Sequence, residues 1–271
     1  MASRIQNLTD PNTIVISEAT LNLVKGFFNV QALGEHTMKG ISQPIKLWRV
    51  VGKSGVQSRL EALGKRLAPL VGRENEVELV LTRWERVKDG IGQIVMVQGE
   101  PGIGKTRLVE ELKEHFKHDN PTIQEYRCSP FYQHTALYPV INLLGQWLHL
   151  GQKDSAEDKL RKLESALTAL NHYPSKAEAV ALLANLLAVP LDKSYAPLKL
   201  TPETQRQRTL ELLRDLLLET SPTRPVLFIL EDLHWVDPTT LDWLTMVVNQ
   251  AANTSVLVML TSRPGFEPPW S

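Results

Sequence analysis

A glycine-rich stretch near the middle of the chain has the residue types that bind phosphate. Residues 99–108 read GEPGIGKTRL, and the first eight fit the pattern G-x-x-x-x-G-K-[ST]. Glycines let successive backbone N–H groups turn toward phosphate oxygens, where a lysine adds positive charge. We therefore assign Lys105 to the β- and γ-phosphates of a nucleotide and the Thr106 hydroxyl to Mg²⁺. The predicted nucleotide contacts are Gly99, Glu100, Pro101, Gly102, Ile103, Gly104, Lys105, Thr106 and Arg107.

Two acids follow a buried-type apolar run further along the chain. Residues 226–235 read VLFILEDLHW, so Glu231 and Asp232 stand at the carboxyl end of a predicted strand. That end of a parallel strand faces the ligand in open sheets. One carboxylate there can hold Mg²⁺, and the other can orient or deprotonate an attacking water. The residues do not decide which acid has which role, and capping a loop is the alternative function for both.

A third candidate, Arg263, follows the apolar run in SVLVMLTSRP at 255–264. In nucleotide-hydrolysing sheets of this type the corresponding strand lies between the loop-bearing strand and the acid-bearing strand. Arg263 is therefore predicted to sense the γ-phosphate, since a guanidinium reads phosphate geometry through several donors. A surface arginine beside a proline turn is the alternative. We expect His234 and Trp235 to pack the strand-to-helix corner rather than to take part in catalysis.

Apolar runs that alternate with amphipathic stretches predict the elements that would position these residues. The pattern is typical of an α/β fold, a parallel sheet with helices on both faces and a largely helical insertion at 137–220. Strands are predicted at 93–98, 122–128, 225–232 and 255–264, and helices at 74–87 and 106–118.

The chain before this region has a different character. Residues 1–52 hold short β-type runs and one helix, for which Ser17 is the predicted N-cap and Gly26 the stop. Residues 53–68 are polar and basic and are predicted to form a linker. We therefore divide the chain into 1–52, a linker at 53–68, and 69–271.

Composition restricts the classes of partner. Lys and Arg together number 30, as do Asp and Glu, so no overall charge favours nucleic acid or an anionic membrane. The apolar runs of about five residues are far shorter than the roughly 20 needed to span a bilayer. The single cysteine, Cys128, is predicted to be a core thiol in a reducing compartment. We expect a cytoplasmic protein with neither a membrane segment nor a nucleic-acid contact.

Several motifs between 69 and 271 resemble the signal-transducing ATPases with numerous domains, the STAND branch of P-loop ATPases (ASCE type, AAA/ORC1-like). They are PLVGRENEVELV, GEPGIGKTRLVEEL, CSPFYQHTALYPVI, LTPETQRQRTLELL, LFILEDLHWVDPTTLDWL and LTSRPGFEPPW. The resemblance implies a module that switches between ADP-bound and ATP-bound states and relays the change to attached domains. It further implies that Val71 and Gly72 lie near the adenine, that Glu231 binds the metal and that Asp232 is the base.

Residues 1–52 resemble the end of a class III adenylate/guanylate cyclase domain. Arg4 matches the arginine of that family's Asn-x-x-x-Arg motif, but neither its asparagine nor the metal-binding aspartates are present. The resemblance implies that this chain lacks a complete cyclase site. Because STAND relatives continue beyond the PPW segment with a further strand and a helical lid, we expect the sequence to be a fragment.

The hypothesis from sequence is an ATP-binding, weakly ATP-hydrolysing regulatory module that uses Mg²⁺, from a cyclase–ATPase fusion. One alternative is a nucleotide-dependent interaction module without turnover. Another is an incomplete cyclase subunit, which depends on Arg4 alone.

Overall fold

The computed structural model describes residues 5, 6, 9–37, 44–54, 69–151, 153–168, 175–218 and 224–270. The chain divides into two compact units, Met1–Pro69 and Leu70–Ser271. Arg4 and most of the predicted linker lie outside the described residues.

The first unit contains a small antiparallel sheet with one short helix. Its elements in chain order are β1 (Ile14–Ser17), α1 (Glu18–Leu23), β2 (Phe28–His36) and β3 (Ile45–Lys53). The strand order is β1-β3-β2, and both pairings are antiparallel. Ser17 is the N-cap of α1, as predicted, since its Oγ accepts from the Thr20 N–H at 3.3 Å.

The second unit is built on a four-stranded parallel sheet. Its strands are β4 (Gln93–Gln98), β5 (Thr122–Arg127), β6 (Val226–Glu231) and β7 (Val256–Ser262). The order is β4-β7-β6-β5, with every neighbouring pair parallel. The predicted place of β7, between the loop-bearing and acid-bearing strands, is confirmed. Because the strands are parallel, their carboxyl ends lie along one edge of the sheet.

Helices cover both faces of this sheet, which explains why the central strands are apolar without alternation. Every residue of β6 and β7 is buried. Leu227 and Ile229 pack in one core cluster with α2 (Glu74–Lys88) and α3 (Lys105–Phe116), whereas Phe228 and Leu230 pack in another with the remaining helices. Successive residues of a strand point to opposite faces, so the two clusters lie on opposite sides of the sheet.

The predicted helical insertion lies between β5 and β6. It contains α4 (Tyr138–Trp147), α5 (Ala156–Leu167), α6 (Lys176–Leu186) and α7 (Pro202–Leu218), and α8 (Pro238–Gln250) follows β6. The leucines that recur at helical spacing are core residues, as Leu160, Leu163 and Leu167 of α5 show. Within the described ranges, no helix is both long enough and apolar enough to cross a membrane.

Candidate nucleotide-binding site

The glycine-rich loop joins β4 directly to α3, as the chemistry of phosphate binding requires. Gly104 is the N-cap of α3 and has φ 98°, a left-handed conformation that strains any residue with a β-carbon. A β-carbon on Gly99 would lie 2.9 Å from Ile103 Cγ2, closer than van der Waals contact permits. Gly104 has no side chain to bond the first N–H groups of α3, and a helix start of this kind favours an anion.

Lys105, the first residue of α3, folds back over the loop. Its Nζ donates to the carbonyl oxygens of Gly99 at 2.7 Å and Glu100 at 3.1 Å. The ammonium is therefore held beside the backbone that would surround a phosphate. The outer part of the loop, residues 100–103, is exposed. Arg107 follows two residues after Lys105 and pairs with Glu111. Its Nη2 lies 2.7 Å from Glu111 Oε2.

Thr106 and Glu231 meet at the predicted metal position. The Thr106 hydroxyl donates to Glu231 Oε2 at 2.7 Å, although 125 residues separate the two along the chain. Glu231 is the last residue of β6 and is only 2% exposed. A hydroxyl and a carboxylate oxygen are the kinds of ligand that Mg²⁺ prefers. The pair therefore fits Mg²⁺ on its donor chemistry, and the structure brings together the two residues assigned to it from sequence.

Arg127 is a residue of this site that the sequence interpretation missed. It ends β5 and stands opposite Glu231 in the β5–β6 register. Its Nη2 donates to Glu231 Oε1 at 2.5 Å and to Thr106 Oγ1 at 2.9 Å, and its Nε lies 3.7 Å from Asp232 Oδ2. Burial, the largest single effect, lowers the pKa of the Arg127 guanidinium, but the charge and hydrogen bond of Glu231 together with the charges of Asp232 and Glu125 raise the pKa overall. The available signal was a cation at the carboxyl end of a predicted strand, on the same edge as the acids.

Asp232 begins the turn after β6 in an unusual backbone conformation. Its φ of 59° and ψ of 45° are left-handed, which is uncommon for a residue with a side chain. Its N–H donates to Thr261 Oγ1 at 3.0 Å, and this bond ties the turn to the end of β7. A third of the Asp232 side chain is exposed. Left-handed backbone of this kind is costly and concentrates at functional sites.

Arg263 follows β7 and lies beside the turn that carries the acids. Its guanidinium carbon is 5.8 Å from the centre of the Trp235 ring, within the range of a cation–π contact. The structure therefore places Arg263 at the carboxyl edge of the sheet, while its role toward a phosphate stays a prediction.

Buried polar atoms without hydrogen-bond partners gather at the same edge. Among the described residues they include Arg127 Nε, Ser262 Oγ and both ring nitrogens of His234. Ser262 also contacts the loop, because its carbonyl oxygen accepts from the Gly99 N–H at 3.3 Å. Native proteins leave few such atoms unpaired, and each one needs an explanation. A polar ligand at this edge would provide it, so the site also fits a nucleotide phosphate.

Val71 and Gly72 lie just before α2. Val71 is 80% exposed, and the Gly72 N–H donates to Glu74 Oε1 at 3.1 Å, within its own segment. A surface groove of about 260 Å³ runs beside them between α2 and α3, lined in part by Leu70, Arg73 and His115. The proximity of Val71 and Gly72 to an adenine stays a prediction.

Other candidate chemistry is not supported by the described part of the chain. It contains no group of three or more His, Cys, Asp or Glu side chains that could hold a metal ion on their own. Cys128 is buried, as predicted, and burial raises the pKa of its thiol to about 12. Such a thiol stays protonated and unreactive at neutral pH.

Comparison with known proteins adds two findings. The family model described as AAA ATPase domain matches residues 69–259. An uncharacterized protein of Rhizobium meliloti is 29% identical over 276 aligned positions, a match that covers 100% of this chain and 26% of that relative. The chain thus spans about a quarter of the length of the curated relative that it matches.

Proposed function

The chain belongs to the AAA ATPase domain family, and from this premise we propose that it binds and hydrolyses ATP with Mg²⁺ to regulate an attached signalling partner. The observation that carries the proposal is the 2.7 Å contact between Thr106 Oγ1 and Glu231 Oε2. It joins the start of the phosphate loop's helix to the end of the acid-bearing strand, the juxtaposition that phosphoryl transfer needs.

The proposed chemistry divides between binding and positioning. Loop N–H groups and Lys105 hold the phosphates, while Thr106 and Glu231 hold the metal. When bound, Mg²⁺ supplies positive charge beside the phosphate oxygens. Asp232 accepts a proton from the attacking water, and Arg263 stabilises the charge that develops on the terminal phosphate. Each group lies at the carboxyl edge of β4, β6 or β7 or next to it.

Three finer features belong to the same proposal. The ATPase is of the STAND type and alternates between ADP-bound and ATP-bound states. Residues 1–52 are the end of a class III cyclase domain, which the motifs of this segment support. The module works in the cytoplasm, in agreement with its single, buried cysteine.

Substitution of Lys105 tests the binding step. We expect Lys105→Ala to weaken the binding of Mg²⁺·ATP by about tenfold to hundredfold, since a charge-assisted contact to phosphate is lost. Isothermal titration calorimetry measures the affinity, and far-UV circular dichroism verifies the fold. Lys117→Ala is the matched control, because Lys117 lies beyond the opposite end of α3 and pairs with Glu114. Unchanged affinity of the Lys105 variant would remove the phosphate-loop assignment.

A second candidate function is nucleotide-dependent interaction without turnover. The hydrogen bonds from Arg127 to both Thr106 and Glu231 favour it, because they compete with the metal for the same two side chains. Steady-state phosphate release separates the candidates. An ATPase loses activity in Glu231→Gln and Asp232→Asn, whereas a pure binder gives the background rate in every variant, including the unsubstituted protein.

A further inference from the structure

His234 is a partly buried residue whose two ring nitrogens are covered by protein, and the fold alone gives no reason for a polar ring at this corner. It lies in the 3₁₀ turn Leu233–Trp235, two residues after Asp232. Neither ring nitrogen reaches solvent, and neither has a hydrogen-bond partner among the described residues. An imidazole has one donor and one acceptor when neutral, and leaving both unpaired in the interior destabilises the folded state. An apolar side chain would fill the same corner without that penalty.

The surroundings of His234 indicate what kind of partner it lacks. Burial is the largest effect on its pKa and lowers it, and Arg263 and Lys105 lower it further, whereas Asp232 raises it. These three charged residues come from the turn after β6, the start of α3 and the end of β7. Their charges thus act on the ring from its own turn and from the two neighbouring elements that carry the candidate phosphate contacts.

The same turn also carries Trp235, against which Arg263 lies. The His234 and Trp235 rings are 5.0 Å apart between centroids, and the Arg263 guanidinium is 5.8 Å from the Trp235 centroid. A single short turn thus links the unpaired imidazole to the arginine assigned to the terminal phosphate.

We propose that the His234 ring turns when ATP binds, so that one of its N–H groups donates a hydrogen bond to the terminal phosphate and His234 distinguishes ATP from ADP. The inference rests on the proposed function, since it deepens the same site. It also explains why a polar ring occupies this corner: the third phosphate would give its N–H an acceptor that the described residues do not provide. His234 is then a specificity-determining residue rather than a packing residue.

The test compares affinities for two ligands that differ in that phosphate. Calorimetry in the presence of Mg²⁺ measures the binding of ADP and of a non-hydrolysable ATP analogue to the full chain. His234→Leu is expected to weaken binding of the analogue by about tenfold or more and to change that of ADP less than twofold. His234→Asn retains an amide N–H near the position of Nδ1, and His234→Gln near that of Nε2. One of them is expected to restore much of the lost affinity and so to identify the donating nitrogen.

Stability of the nucleotide-free protein provides a second, independent measurement. Because His234→Leu removes an unsatisfied polar group, the unfolding temperature is expected to stay the same or rise. A merely structural histidine would give a fall in unfolding temperature with an unchanged ratio of the two affinities. His118→Ala is the matched control, since His118 is exposed at the far end of α3, and it should alter neither measurement.

Failure of this inference is distinguishable from failure of the proposed function. If the unsubstituted protein binds both ligands in a Lys105-dependent way but His234→Leu keeps its preference between them, only the role of His234 is wrong. The same holds if neither amide variant recovers any lost affinity. If the unsubstituted protein binds neither ligand, the proposed function fails and the role of His234 fails with it.

Discussion

Arg127 is the cation that accompanies the buried Glu231. Its guanidinium bonds both Glu231 and Thr106, and the Glu231 side chain is only 3% exposed. A carboxylate so far from water needs a positive partner, and the described structure supplies it from the neighbouring strand. Arg127 therefore stabilises the fold through the same two side chains that we assign to the metal.

Removal of Arg127 should consequently destabilise the nucleotide-free protein. We predict that Arg127→Met lowers the free energy of unfolding by about 2 to 4 kcal/mol, because it leaves Glu231 buried without a counter-charge. Chemical denaturation measures the change. MgCl₂ should recover part of the loss in the variant and have little effect on the unsubstituted protein, since the substitution vacates the position between Thr106 and Glu231.

The double variant Arg127→Met, Glu231→Gln is the control for this prediction. It removes the charge that Arg127 neutralises, and its stability should therefore exceed that of Arg127→Met alone. If Arg127→Met lowered the free energy of unfolding by less than about 0.5 kcal/mol, the ion pair between Arg127 and Glu231 would contribute little to stability.

Sequence predicted some residues of the site and missed others for a physical reason. Lys105 and Thr106 are specified by a local loop pattern, and Glu231 by the apolar run before it. Arg127 contacts Glu231 through the register between two strands whose contacting residues are 104 positions apart. No local pattern encodes that register. His234 was predicted to pack, and the structure shows that it packs with both nitrogens unpaired.

Asp237 connects two helices that are distant in sequence. Its Oδ1 accepts from the Thr240 N–H at 2.9 Å, which caps α8, and from the Leu137 N–H at 3.1 Å, just before α4. Its Oδ2 accepts from the Thr240 hydroxyl at 2.5 Å. Asp237 is 2% exposed and Leu137 is 6% exposed, so these bonds form away from solvent. One carboxylate therefore positions the starts of both helices.

We predict that Asp237→Ala lowers the free energy of unfolding by about 2 to 4 kcal/mol. The loss combines about 1 kcal/mol for the helix cap with the cost of a buried N–H of Leu137 that has no acceptor. Urea denaturation measures it. Asp237→Asn retains one acceptor oxygen and is expected to lose less.

Comparison with Ser155→Ala isolates the contribution of the buried hydrogen bond between the Leu137 N–H and Asp237. Ser155 caps α5 through a capping box whose hydrogen bonds are exposed. Ser155→Ala should lower the free energy of unfolding by the contribution of a helix cap alone, about 1 kcal/mol. Equal losses for Ser155→Ala and Asp237→Ala would mean that the Leu137 bond does not matter.

The strands with buried apolar runs were predicted well, since helices cover both faces of the sheet and such strands must be apolar along their whole length. The strand predicted at 93–98 has the same first and last residues as β4. The ends of the other three predicted strands lie within two residues of the ends of β5, β6 and β7. The start of α4 had no comparable signal. It depends on a leucine, Leu137, with φ 57°, and on a bond to a residue 100 positions away.

At the scale of the molecule, the two units have separate cores. The first unit packs Ile5 and Leu47 with Val15 and Ile45, and the two clusters of the second unit contain only residues from Leu70 onward. We call the second unit, Leu70–Ser271, the ATPase unit, and we expect its stability to depend on its own residues.

We predict that a chain of residues 70–271 unfolds at a temperature within about 3 °C of that at which the same unit unfolds in the full chain. This difference corresponds to about 1 kcal/mol in the free energy of unfolding. Its affinity for ATP should change less than twofold. Differential scanning calorimetry and titration calorimetry measure the two quantities. Aggregation of the shorter chain, or a much lower transition temperature, would mean that residues 1–69 support the ATPase unit.

Strand β7 determines how far apart the two halves of the candidate site lie. Its Ser262 carbonyl bonds the first residue of the glycine loop, and its Thr261 hydroxyl bonds the Asp232 N–H. Because β7 separates β4 from β6, the backbones of those two strands lie two strand spacings apart, about 9 to 10 Å, and the side chains of Thr106 and Glu231 bridge the gap. A lateral shift or removal of β7 would thus decide whether Thr106 and Glu231 can still meet, whereas remodelling of the surface helices would leave that contact in place.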